Sequence, residues 1–492
     1  MATNWKKQTA WKIVYTDFSG MERKAVELLN SEAGKNIIRE QGVYTLYILP
    51  IEKETPDTKI ENNAFIVGTW ASSPLIQRFV SKKDIPNKGY LLKIIDNPDN
   101  ENGSIVLITG NEQRDLFYAT SAFFDIYAPY HAPGGSLTYT SKLFDDKLPN
   151  ATYTSSPKTQ TRGIFSWGHS INDYRAYIRD MARLGLTQLI LWNDYKPLNA
   201  KEIVDYAHEY GIELIWGFSW GWSTGQCKAT TSLDAEYLQR LKEQTLERFE
   251  QDYAGEGDGI YFQSFTERKD DTIGGKSIAD AVTDFVNDTA SELLRRYPNL
   301  RIQFGLHATS VKTHLSAIAR VDKRIEILWE DGGAFPFNTG TSKIYDYEAF
   351  EKEFDETLEF TKKILLLRGL DAPTGIVYKG FMLLDWMNFA HQTGPYILGE
   401  NPAQVQDHDR ALRTDSWRAI TANWLKHGEY VLRFTKHIHE ITGGKVNLCM
   451  AGTFDGSTYL PQAICAETFW DSGRDFSTIV KSAMDKNFVI TH

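Results

Sequence analysis

Residues 161–194 read TRGIFSWGHSINDYRAYIRDMARLGLTQLILWND, and this stretch decides the fold. It begins with a short run rich in apolar and aromatic residues, Arg162–Gly168, which suits a buried strand. A segment follows in which Tyr177, Ile178, Met181 and Leu184 recur at helical spacing, and Gly185 then offers a helix stop. A second apolar run, Thr187–Asp194, completes a strand–helix–strand unit of the kind that builds parallel sheets.

Working outward, the same alternation continues toward the C-terminus. IELIWGFSW, GDGIYFQSF, LRIQFGLH, IEILWED and GIVYKGF read as further strands, with amphipathic helices between them over residues 199–211, 234–253, 276–297 and 347–369. Seven strands are recognisable in this way. An eighth is not evident, because MLLDWMNF stands too close to GIVYKGF for a helix to intervene, so an irregular or incomplete closure is expected. A long helix from about Asp415 to Ile441 and a tail ending in RDFSTIVKSAMDK follow. Toward the N-terminus, GVYTLYILPI, NAFIVGTW, GYLLKIID and GSIVLITG read as strands, and the residues after Ser31 and QRDLFYATSAFFDIY read as helices. Residues 147–161, rich in Pro, Ser and Thr, read as a linker. The predicted architecture is therefore α/β: an N-terminal α/β domain (1–155), a (β/α)8-like TIM barrel (161–412) and a C-terminal helical extension packing on the barrel (413–492).

A chain of 492 residues is long enough for two or three such units. Its 42% hydrophobic and 24% charged residues are those of a globular protein. A net charge of -10 argues against nucleic acid, whose phosphates need clustered Lys and Arg. No run of about 18 apolar residues points to a membrane span. Cys227, Cys449 and Cys465 are odd in number and widely spaced, which disfavours disulfides and zinc. No cofactor or metal is expected. As written the chain reads as cytosolic, and as secreted or periplasmic if a leader has been removed. The apolar faces of the tail helices are a candidate homodimer interface.

In a TIM barrel the active site lies at the C-terminal ends of the strands. That rule selects Trp167 and His169 after the first strand, Trp192, Asn193 and Asp194 after the second, and Trp216 and Trp220 at the third. It adds Glu267 and Arg268 after the fourth, His307 after the fifth, Trp329, Glu330 and Asp331 at the sixth, and Tyr378, Lys379, Asp385 and Trp386 at the seventh. With 13 Trp, 24 Tyr and 26 Phe in the chain, any single ring can belong to the core, but aromatic rings and carboxylates recurring around one mouth suit a sugar pocket. Glycosidic cleavage needs a carboxylic acid to protonate the leaving oxygen and a carboxylate to attack or to activate water. Glu267 follows an apolar strand, which favours its protonated form, so it is the candidate acid; a salt bridge to Arg268 is the structural alternative. Glu330 and Asp331 are the candidate base or nucleophile. Asp194 and Asp385 suit sugar hydroxyls or helix caps, His307 a substrate group or a buried structural role, and Arg162 the stability end of the barrel.

GSIVLITGNEQRDLFYATSAFFDIY followed by TRGIFSWG and RDMARLGLTQLILWND resembles the xylan α-glucuronidases and, more distantly, the β-N-acetylhexosaminidases. The resemblance covers most of residues 40–400 through layout and short fragments. It implies a general acid after the fourth strand, which falls on Glu267, and carboxylates on later strands, which fall on Glu330 and Asp331. The chain departs from the hexosaminidases in carrying Thr266–Glu267 where they carry an Asp–Glu pair. The expected activity is hydrolysis of a plant or host glycan, with an oligosaccharide or polysaccharide as partner. A carbohydrate-binding barrel without catalysis and a sugar lyase or isomerase using Lys379 or His307 are the alternatives.

Overall fold

The computed structural model describes residues 11–41, 49–127, 147–193, 195–223, 228–229, 232–266, 268, 270–307, 310–330, 332, 347–378, 394–451 and 459–486. Two compact units are present. One comprises Met1–Pro157 with Glu209–Gly211 and Ser477–Thr491; the other comprises Lys158–His208, Ile212–Phe476 and His492.

The first unit is a six-stranded mixed sheet. Its strands are β1 (Trp11–Tyr15), β2 (Ile51–Lys53), β3 (Asn63–Val67), β4 (Tyr90–Asn97), β5 (Asn100–Gly110) and β6 (Ala151–Ser155), arranged β2-β1-β3-β5-β4-β6. The first four in that order are parallel, and β4 and β6 join antiparallel. Three of these strands depart from the sequence reading: β2 meets the expected strand GVYTLYILPI only at Ile51, and residues 42–48 of that stretch lie outside the described residues. β1 was not foreseen, and β6 lies inside the stretch read as a linker, where ATYTS pairs with β4. Its Thr and Tyr residues suit an edge strand despite the surrounding polar composition.

The second unit is a closed eight-stranded parallel barrel. The strands are Thr161–Trp167, Gln188–Trp192, Glu213–Ser219, Gly259–Gln263, Arg301–Leu306, Glu326–Trp329, Thr374–Tyr378 and Asn447–Ala451. The first seven match the sequence reading. The eighth corrects it: Asn447–Ala451 pairs with both the seventh and the first strand and closes the barrel without irregularity. This strand lies in residues assigned to a C-terminal extension, so the barrel continues past residue 412. The single long helix expected over 415–441 is two, Ala403–His427 and Glu429–Thr442, broken at Gly428. A Cβ at Gly428 would meet the Phe476 ring at 2.7 Å, so only glycine allows that packing. Among the described residues no helix is long and apolar enough to cross a membrane.

Side chains on each strand alternate between the lumen and the helical shell. At the N-terminal end the lumen is filled by polar groups. Arg301 donates to Glu213 at 2.5 Å and Glu326 at 3.1 Å, and Gln303 donates to Glu326 at 2.6 Å. Asn447 reaches Gln188 at 2.8 Å. These bonds tie five strands together where no ligand is expected to enter. Arg162 belongs to the same end, donating to the Gly185 carbonyl at 2.7 and 2.8 Å with its guanidinium over Trp470. Above the polar layer lies an apolar one containing Phe165, Ile190, Ile215, Tyr261, Leu328, Val377 and Cys449.

His439 holds the entry to the first strand in place. One ring nitrogen meets the Thr159 hydroxyl, and the other lies 2.7 Å from Ser472 Oγ. Burial, reinforced by the nearby Lys158 charge, lowers its pKa from 6.5 to about 4. Between those values the unfolded chain binds a proton that the folded chain refuses, so the contribution of His439 to stability falls as pH drops from 6.5 toward 4. Thermal melts of wild type and His439→Gln across this interval are expected to show a steeper acid-side loss in wild type; parallel curves would contradict the assignment.

Candidate active site

The C-terminal end of the barrel gathers side chains from the fourth, fifth and sixth strands around one carboxylate. Glu330, at the end of the sixth strand, has no exposed surface. Its Oε1 accepts from the Tyr261 hydroxyl and from Gln263 Nε2 at 2.6 Å. Its Oε2 accepts from the same amide at 2.8 Å and lies 3.0 Å from His307 Nε2. The backbone holds the register, since Glu330 N donates to the Leu306 carbonyl at 3.1 Å. Burial, followed by the adjacent negative charge of Glu330, pushes the Tyr261 phenol well above its ordinary range, so Tyr261 stays a neutral donor.

Tyr261 and Gln263 belong to the fourth strand and Glu330 to the sixth, so they meet across the fifth. Gly305 makes this contact possible. A Cβ at position 305 would stand 2.0 Å from Tyr261 Oη and 2.4 Å from Glu330 Oε1. Any larger residue there would push the strand-four and strand-six groups apart.

Among the sequence candidates, Trp167 and Trp192 face the lumen in the same cluster as Tyr261, with the Trp192 and Tyr261 rings edge-on at 6.2 Å. His307 and Glu330 join them. Four other aromatic candidates do not. Trp216 packs toward Tyr253, Trp220 stacks on Phe262 with ring centroids 3.7 Å apart, and Trp329 lies against Phe360. Tyr378 sits between Phe434 and Phe469 with its hydroxyl 2.8 Å from Thr435 Oγ1. The two-residue period of a strand explains the correction: Ile215 and Leu328 take the lumen, so Trp216 and Trp329 turn into the shell.

Asn193 is also not at the lumen centre. Its side-chain oxygen accepts from the Tyr396 hydroxyl, and a Cβ at Gly168 would lie 2.0 Å from that oxygen. Tyr396 belongs to a strap, residues 394–401, which runs from the seventh strand's loop to the loops after the first two strands. Leu198 N donates to the Tyr396 carbonyl, Asn199 exchanges two bonds with Leu398, and Asn401 bonds Asn172 twice. Arg268 is partly buried, with Nη2 3.8 Å from Asp270. Asp194, Glu267, Asp331, Lys379, Asp385 and Trp386, and the side chain of His169, lie outside the described residues.

Tyr261, Gln263, Gly305 and Tyr396 were not among the sequence candidates. The signal for the first two is their parity with Gly259 on the fourth strand, which places 259, 261 and 263 on one face. Nothing in the sequence indicates the strap.

No protein-family model matches the sequence, and no curated protein does. Solved structures do resemble it. The structure of CpGH84B aligns with a TM-score of 0.51 at 12% identity, over 96% of this chain and 70% of that one. The GH20 beta-N-acetylhexosaminidase from Streptomyces coelicolor A3(2) aligns at 0.47 and 11% over 97% and 92%. A mutant Streptomyces plicatus beta-hexosaminidase in complex with its product GlcNAc aligns at 0.46 and 12% over 97% and 90%. The likeness to CpGH84B is one of fold alone and leaves the chemistry to the site.

The inward and outward sets make different demands. Trp220→Ala removes a ring with no exposed surface from the shell and is expected to cost about 3–5 kcal/mol in a denaturant melt. Gly305→Ala is expected to destabilise by about 1–3 kcal/mol through overpacking against Tyr261 and Glu330. A stability unchanged in either variant would contradict the packing described.

Proposed function

We propose that this chain is a glycoside hydrolase that cleaves a glycosidic bond in a plant or host glycan at the C-terminal end of the barrel. Glu267 is the general acid, and the partner carboxylate comes from Glu330–Asp331 at the end of the sixth strand. The observation that carries the reading is the buried carboxylate of Glu330 in a cradle of Tyr261, Gln263 and His307, at the barrel end where TIM-barrel enzymes hold their active sites.

Two further features support it. The fourth and sixth strands are two places apart, roughly 10 Å on a spacing of about 4.8 Å per strand. Their inward groups nevertheless touch across Gly305, so acid and partner carried by these two strands can flank one glycosidic bond. Trp167 and Trp192 stand in the same lumen, in the buried cluster that contains Tyr261.

One observation favours a second reading. His307 is buried at the same barrel end with Nε2 3.0 Å from the Glu330 carboxylate, and a sugar lyase or isomerase would need an imidazole base at such a place.

The test is a panel of aryl glycosides and oligosaccharides, offered to wild type and to Glu267→Gln, which keeps the side-chain shape and removes the acid. The expected result is turnover by wild type and a loss of about a hundredfold or more in the variant on substrates with poor leaving groups. An unsaturated or isomerised product without hydrolysis would favour the second reading. Binding without turnover would make the chain a carbohydrate-binding barrel.

A further inference from the structure

The fourth strand ends in an amide whose two ends meet different surroundings. Gln263 is the last residue of that strand and is 8% exposed. Its Nε2 donates to Glu330 Oε1 at 2.6 Å and to Glu330 Oε2 at 2.8 Å, so one carboxylate takes up the nitrogen end of the group. An ionised carboxylate only accepts hydrogen bonds, and this fixes which end of the amide faces it. Oε1 is therefore turned away from Glu330. Among the described residues it meets no donor, and it is not sealed from solvent. The main-chain carbonyl of Gln263 is occupied separately, accepting from Trp220 N at 2.8 Å.

We infer that Gln263 is a substrate-binding residue, presenting its Oε1 at the mouth of the barrel as the acceptor for a hydroxyl group of the sugar. An amide oxygen accepts and cannot donate, so the group that meets it must carry a proton; a carboxylate or a ring oxygen does not fit. A ligand that displaced water from Oε1 without offering a donor would leave a nearly buried acceptor unpaired, so a sugar lacking that hydroxyl is disfavoured. Glu330 holds the amide in this orientation, and it reaches Gln263 because position 305 carries no side chain. The inference rests on the hydrolase reading only in taking the ligand to be a sugar; the orientation of the amide does not depend on it.

The experiment measures binding to the full-length protein by calorimetry. The probes are the methyl glycosides of glucose, galactose, mannose, xylose and N-acetylglucosamine, followed by the monodeoxy and monofluoro derivatives of those that bind. A C–H group neither donates nor accepts, and fluorine cannot donate, so a hydroxyl that donates to the protein is marked by a position at which both replacements lose affinity. In wild type the expected loss at one such position is about tenfold. Gln263→Met keeps the length of the side chain and removes both polar ends. It is expected to bind the parent sugar about tenfold more weakly and to become indifferent to replacement at that position, while still responding at the others. Gln263→Glu keeps an oxygen on the open side and, through a proton shared with Glu330, is expected to retain the discrimination. Thermal melts establish that each variant is folded, and the wild-type pattern with Gln263→Glu carries the test if Gln263→Met does not fold. Wild type that tolerates every replacement, a penalty that persists in Gln263→Met, one that disappears in Gln263→Glu, or no binding of any of these glycosides at millimolar concentrations would each overturn the inference. Discrimination carried by Gln263 in a protein that hydrolyses no glycoside would support it and defeat the hydrolase reading alone. Hydrolysis by wild type with the hydroxyl pattern unchanged in Gln263→Met would do the reverse.

Discussion

The contact between Glu330 and the fourth strand governs the rest of the candidate site, and it exists because the intervening strand has glycine at position 305. A side chain at position 305 would stand between the fourth-strand and sixth-strand groups, 2.0 Å from Tyr261 Oη and 2.4 Å from Glu330 Oε1. Removing that side chain lets Tyr261 and Gln263 reach a carboxylate two strands away. The buried charge is then compensated by several donors, the condition under which a carboxylate is tolerated in a protein interior. Trp167 and Trp192 belong to the lumen cluster that contains Tyr261, with the Trp192 ring edge-on to the Tyr261 ring.

The two ends of the barrel use polar groups differently. At the N-terminal end, Arg301, Glu213, Glu326, Gln303, Gln188 and Asn447 bond one another and join neighbouring strands. Opposite charges and amides pair there, an arrangement suited to stability. Among the described residues at the C-terminal end, the Glu330 carboxylate gathers the Tyr261 hydroxyl and the Gln263 amide with the His307 imidazole beside it, and the strand ends beyond carry Glu267 and Asp331 in sequence. This asymmetry agrees with the division of labour in TIM barrels, in which one end holds the fold and the other the chemistry.

The barrel was largely legible in the sequence. Seven strands and the helices between them follow from apolar runs of strand length and from helical periodicity. The eighth strand was not, because NLCMA is a five-residue apolar run that periodicity cannot distinguish from a buried turn of helix. The strap over 394–401 escaped for another reason: its bonds join residues about 200 positions apart, and a loop held by such contacts has no local pattern.

The sequence by itself determined the order of strands and helices and the carboxylates, imidazole and indoles that stand near strand ends, because these depend on local spacing and residue chemistry. Only the tertiary structure decided which of those groups share a space. Trp216, Trp220, Trp329 and Tyr378 look like Trp167 and Trp192 in one dimension, yet strand parity sends them into the shell. Glu330 is an unremarkable strand-end acid until closure of the barrel brings Tyr261, Gln263 and His307 to it across Gly305. Facing and contact between strands are set by register and by the size of the residue between them, and neither is a property of any single segment of the chain.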